Sequence, residues 1–172
     1  MTAPPSAALL AVVAEVEAHL SEAGWDQPPQ LFALVDTEEL LRAEPQLASS
    51  MGLVVTRPGT LTPIAQDPLA PEDLDDQLAS VVFGPEVLGV VIAHEVLVLP
   101  PSAEAAVGDD VGAAATHPAR REVRMAVGVM RDGSRESVLR LRAVADGEDE
   151  LVTGGDLAPG LADALLATLD ES

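Results

Sequence analysis

Glu122-Val123-Arg124-Met125-Ala126-Val127-Gly128-Val129-Met130-Arg131-Asp132-Gly133-Ser134-Arg135-Glu136-Ser137-Val138-Leu139-Arg140-Leu141-Arg142-Ala143-Val144 alternates in polarity on either side of one turn signal, and that alternation decides the fold. Val123, Met125, Val127 and Val129 fall on one face of a strand, because successive side chains point to opposite sides. Leu139, Leu141 and Ala143 do the same on the strand that follows. A two-residue Asp132-Gly133 loop would pair odd positions with even ones and set Met125 against Arg140. A three-residue loop, Arg131-Asp132-Gly133, pairs odd with odd and sets Val123 against Leu141. It also puts Gly133 at the left-handed position of a G1 bulge, where glycine is favoured. Burial and turn chemistry predict the same register, and the opposite face then carries Arg124, Arg140 and Arg142.

Outward from this hairpin, Val87 to Leu99 is apolar on both parities, broken only by Gly89, His94 and Glu95, which predicts a central strand covered on both faces. Pro100-Pro101 ends it, and residues 102–119, rich in Ala, Gly, Asp and Pro, lack a core-facing stripe and read as a mobile loop. Near the N-terminus, Ser6 is placed to cap a helix whose stripe is Leu9, Val13, Val16 and Leu20, with Gly24 just past its end. Leu31 to Val35 reads as a buried strand, and Thr37 as the N-cap of a helix with Glu38 and Glu39 in its first turn and Pro45 at its end. Leu53 to Thr56 and Leu61 to Gln66 read as a hairpin in which Pro63 is tolerated only at a sheet edge or a strand end. A helix opened by Pro71 carries Leu74, Leu78 and Val81, and a last one near Pro159 carries Leu161, Leu165 and Leu169. The order predicts an α+β fold: a mainly antiparallel sheet of about five to six strands, with N-terminal, middle and C-terminal helices packed against it. One domain over residues 1–172 is expected.

Composition narrows the function. There is no cysteine and no lysine, which removes disulfides, thiolate ligands, Schiff bases and a P-loop lysine. The net charge of −20 repels nucleic acid and anionic lipid, and neither partner is expected. No signal peptide or spanning segment is read, so a cytoplasmic protein is expected, as monomer or homodimer. Seven of the nine arginines lie in residues 120–142.

Motifs of chemistry fail on their own spacing. His94-Glu95 begins like the zinc-protease HExxH, but Val98 stands where the second histidine belongs. Three scattered histidines give no ligand spacing, and the acidic runs at 73–76, 109–110 and 146–150 lack the EF-hand pattern. Ser134 and Ser137 have no nucleophile elbow, and Gly154-Gly155 has no dinucleotide-binding spacing. No catalytic residue, cofactor or metal is therefore expected. Arg124, Arg140 and Arg142 are the candidate binding residues. They suit an acidic segment of a partner protein, since guanidinium groups recognise carboxylates bidentately, or they pair with the protein's own acidic helices.

The runs LFALVDTEELL from Leu31, LTPIAQD from Leu61, REVRMAVGVMRDG from Arg121 and GDLAPGL from Gly155 resemble a family of uncharacterised actinobacterial proteins, over nearly the whole chain. That resemblance implies no activity or cofactor. The order of elements also resembles the type III secretion chaperone fold, apart from the extra second helix, and this likeness implies a dimeric binder of polypeptides. The expected function is a non-enzymatic protein-interaction or chaperone-like module. The alternative is an enzyme or small-ligand binder whose pocket gathers His94, Glu95 and Arg124.

Overall fold

Three consecutive residues, Val90, Val91 and Ile92, are completely buried, which requires cover on both faces of the strand that carries them. That strand is the third position of a six-stranded sheet in a computed structural model describing residues 5–50, 52, 60–70, 72, 74–98, 121–143, 148–154 and 157–169. The strands are β1 (Gln30–Asp36), β2 (Leu61–Ala65), β3 (Gly89–Val98), β4 (Arg121–Met130), β5 (Arg135–Leu141) and β6 (Glu150–Gly154). Their order is β2-β1-β3-β4-β5-β6, and every neighbouring pair is antiparallel. The helices are α1 (Pro5–Ser21), α2 (Thr37–Ala43), α3 (Pro45–Ser50), α4 (Leu74–Ala79) and α5 (Pro159–Thr168). The architecture is the expected α+β.

The two faces have separate cores. Leu9, Val12, Val13, Val16 and Leu20 of α1 pack on Phe32, Leu34, Val91, Ala93, Ala126 and Val138. On the other face Ala162, Leu165 and Leu169 of the C-terminal segment, with Leu78 of α4, pack on Leu31, Ala33, Val90, Ile92, Val127 and Val129. Each fully buried Val or Leu contributes about 1.5–3 kcal/mol. Gly128 of β4 sets how closely α1 approaches: a Cβ there would lie 2.5 Å from Val13 Cγ2 and 3.0 Å from Leu9 Cδ1.

The β4–β5 hairpin has the expected register, with Val123 opposite Leu141 and Arg124 opposite Arg140. Gly133 has φ +93° and donates to Met130 O at 2.9 Å, as a three-residue loop with a G1 bulge demands. Asp132 accepts from Ser134 N at 2.8 Å, and the Ser134 hydrogen bonds hold its carboxyl below the usual range. Arg131 ties this turn to two other segments. It donates to Val87 O at 2.7 Å, to Gly84 O at 2.6 Å, to Phe83 O at 3.2 Å and to Leu169 O beyond the end of α5.

Several expectations change. The cap of α2 is Asp36, which accepts from Glu39 N at 3.0 Å; Thr37 is already helical and spends its hydroxyl on Thr62 at 2.7 Å. Ser6 lies inside α1, not at its N-cap. The helix carrying Leu74 and Leu78 stops at Ala79, short of Val81. Strand β6 is an addition to the expected strands, sharing only Glu150 with the acidic run 146–150. Its five residues are exposed along nearly their whole length, so no burial pattern marks them. Leu61–Ala65 pairs with β1 at the sheet edge, where Pro63 is tolerated, whereas its expected hairpin partner, 53–56, and the expected loop, 102–119, lie outside the described residues.

Candidate functional site

The arginine face is built by alternation on β4 and β5 and then roofed by α1. Glu17 occupies a place on the apolar stripe of α1 and is 1% exposed. It receives Arg140 bidentately, through Nε and through Nη2 at 3.0 Å, and accepts from Ser21 Oγ at 2.7 Å. That carboxylate raises the already high pKa of Arg140. Arg124, 2% exposed, donates to Ser21 Oγ at 2.9 Å and to Gly24 O, and lies 3.3 Å from Glu95 and 3.9 Å from Glu17. Its guanidinium stacks 4.8 Å from the centre of the Trp25 ring. Arg142 is half exposed, pairs with Glu122 and lies 5.5 Å from the same ring.

The loop after α1 is held by the same cluster. Glu95 accepts from Asp26 N at 2.8 Å and Gln27 N at 3.0 Å, which fixes Asp26 at φ +66°, and Gln27 Nε2 caps Leu20 O and Gly24 O at 2.7 Å each. Every buried charge in this cluster has a partner, so its consequence is to clamp α1 and its exit loop to the sheet. Arg124, Arg140 and Arg142 thus share one face, with the first two largely spent on internal partners.

His94, Glu95 and Arg124 border one crevice but form no open pocket. Glu95 is opposite Arg124 in the β3–β4 register, whereas His94 is opposite Met125 on the other face. The crevice bordered by His94, Glu95, Arg124 and Gln27 has no room for a water molecule. His94 Nδ1 is buried without a hydrogen-bond partner among the described residues, and burial lowers the histidine's pKa against the opposing pull of Glu95. Among the described residues no cluster of three or more His, Asp or Glu is arranged to hold a metal ion, and no helix is long and apolar enough to cross a membrane.

Open surface lies elsewhere. A groove of about 630 Å³ runs between α1, α3 and the β1–β2 edge, floored by Val16, Phe32, Leu47, Pro63 and Ile64. Glu15, His19 and Glu22 stand along its α1 side. At the far end of the sheet β6 exposes Leu151 and Val152, with Leu157 close by.

A family model matches residues 9–170, nearly the whole of this fold. The chain belongs to the PPA1309-like protein family. Comparison with curated proteins and with solved structures gave no match. Membership brings no named activity, cofactor or partner, so the two open surfaces of this family member carry the functional argument. Sequence reasoning missed both. The groove joins residues from three elements that share no motif. A signal did exist for the clamp: Glu17 interrupts an apolar helical stripe, and a carboxylate there needs an inward-facing cation.

Proposed function

We propose that the protein is a non-enzymatic interaction module of the cytosol that receives a basic, amphipathic segment of another polypeptide in the groove between α1 and β2. The groove carries this reading: an apolar floor beside exposed Glu15 and Glu22, on a chain of net charge −20. Residues 15 to 21 of α1, with Glu22 just past its end, extend about 10 Å, or two helical turns. An amphipathic helix laid along them would seat apolar side chains at i and i+3 or i+4, with Arg or Lys beside the carboxylates. The charges would steer and select the partner, while the apolar contacts hold it. The chaperone-like reading is kept in this sense only, that the ligand is a polypeptide. An acidic segment on the arginine face would have to compete with Glu17, Glu95 and Glu122 for the same guanidinium groups, which favours a basic partner. Repulsion between copies of charge −20 favours a monomer. The crevice shared by His94, Glu95 and Arg124 has no room for a substrate, which favours binding elsewhere over catalysis there.

The test is affinity capture from host cytosol with wild type, Leu47→Asp and Arg142→Glu, followed by mass spectrometry and by titration of the basic segment found. Leu47 is 46% exposed, so its replacement leaves the fold intact. The expected result is a partner segment that binds wild type and Arg142→Glu alike, weakens with salt, and loses about tenfold or more in affinity for Leu47→Asp, as removal of an apolar anchor predicts. A partner lost with Arg142→Glu and kept by Leu47→Asp would overturn the groove and return the interaction to the arginine face.

A further inference from the structure

Antiparallel ladders alternate between residues bonded to one neighbour and residues bonded to the other. Met130 N donates to Ser134 O at 3.0 Å and Arg142 N to Glu122 O at 2.8 Å, so the even positions of β5 bond to β4. Its odd positions, Ser137, Leu139 and Leu141, then bond to their partners Gly154, Val152 and Glu150. Leu151 and Thr153 are left with N–H and C=O groups turned outward from the sheet. The two side chains that could hold an added strand point to opposite faces: Leu151 is opposite Arg140 on the α1 side and is 53% exposed, and Val152 is opposite Leu139 on the α5 side and is 40% exposed. Strand edges are commonly blunted by proline, a bulge or cover, and β6 has none of these among the described residues.

We infer that β6 is a docking edge for an extended segment of a partner protein, flanked by lysine or arginine, which joins the sheet as an added strand. The outward backbone groups demand an extended chain. Its charge follows from Glu148 and Glu150, both exposed at the start of the strand. The same acids, on a chain of net charge −20, disfavour a second copy as occupant. This edge lies across the sheet from the groove and is independent of it.

The probe is an acetylated heptapeptide of alternating Val and Thr with Lys at both ends, beside a version with Glu ends and a version N-methylated on one backbone edge. Binding is read by amide hydrogen exchange in the full chain. The Lys-ended peptide is expected to slow exchange at Leu151 and Thr153 about tenfold or more, the scale on which an exposed amide gains protection once paired. The Glu-ended and N-methylated versions should not, and Leu47→Asp should leave the result unchanged. Thr153→Pro, which removes an outward N–H only, should abolish the effect; the N-methylated peptide tests the same bond without altering the protein. No added protection at these amides up to millimolar peptide would overturn the inference. So would equal protection by the Glu-ended peptide. A concentration-dependent dimer that protects Leu151 and Thr153 without peptide would give the edge to a second copy and overturn the choice of partner.

Discussion

Strand β2 finishes one side of the sheet with Leu61 and Thr62 buried, a hydroxyl pair between Thr37 and Thr62, and Pro63 at an outward position where no N–H is presented. Strand β6 finishes the other side with Leu151 and Val152 in solvent and outward N–H groups at Leu151 and Thr153. The reason for the difference lies in where the helices are fastened. Helix α1 packs across β2, β3, β4 and β5, and Glu17 grips Arg140 on β5 as the last sheet residue beneath it. Among the described residues, cover on that face stops at β5. Helix α5 packs on β3 and β4, and on the other face of β6 Leu157 lies against Gly154 while Val152 stays 40% exposed among the described residues.

The largest effect should come from breaking the clamp that sets this asymmetry. Glu17→Ala leaves two guanidinium groups beneath α1 without their shared carboxylate, and is expected to cost about 3–5 kcal/mol. Urea unfolding followed by the fluorescence of Trp25, the sole tryptophan, measures it. A loss under about 1 kcal/mol would mean that apolar packing alone holds α1, since an uncompensated buried charge cannot be that cheap. Gly128→Ala tests the same seat sterically. Its Cβ meets Val13 and Leu9 at 2.5 and 3.0 Å, so a loss of about 1–3 kcal/mol is expected from overpacking.

The covered half of the sheet was the legible half. Odd-position alternation in residues 123–129 and 139–143, with Gly133 in the turn, specified the hairpin register because only one pairing buries both apolar rows. The double-parity apolar run of β3 likewise required cover on both faces. What remained illegible depends on assembly. Asp36 and Thr37 are both good capping residues, and only the contact of Thr37 with Thr62 decides between them. The arginines could be read as facing one way, but which helix roofs them is not encoded in their spacing. Strand β6 has no buried parity to detect, so its five residues look like a loop.

Acidification probes the covered centre next. Burial depresses the pKa of His94 below its ordinary 6.5, so the unfolded chain binds this proton more readily than the folded one. Its contribution is therefore fully favourable above pH 6.5 and is lost as pH falls from there through the lower folded value. The urea midpoint of wild type should drop between pH 7 and 5, and His94→Phe should flatten that part of the profile. An unchanged slope in His94→Phe would assign the pH response to other groups and leave the orphaned Nδ1 without consequence for stability.

The smallest effect is expected at the open edge, and its smallness is the informative part. Leu151→Thr combined with Val152→Thr keeps β-formers in the strand while removing two exposed apolar side chains, so stability should stay within about 0.5 kcal/mol of wild type, as for surface substitutions generally. The same change should lower the protein's binding of a hydrophobic dye. Helix cover gives β2 part of its stability, whereas Leu151 and Val152 of β6 stand in solvent, and only side chains with little packing can be lost this cheaply. A loss above about 1 kcal/mol would show that both side chains are packed against the protein's own chain. The contrast between the two edges would then fall, and with it the case for a strand-binding site at β6.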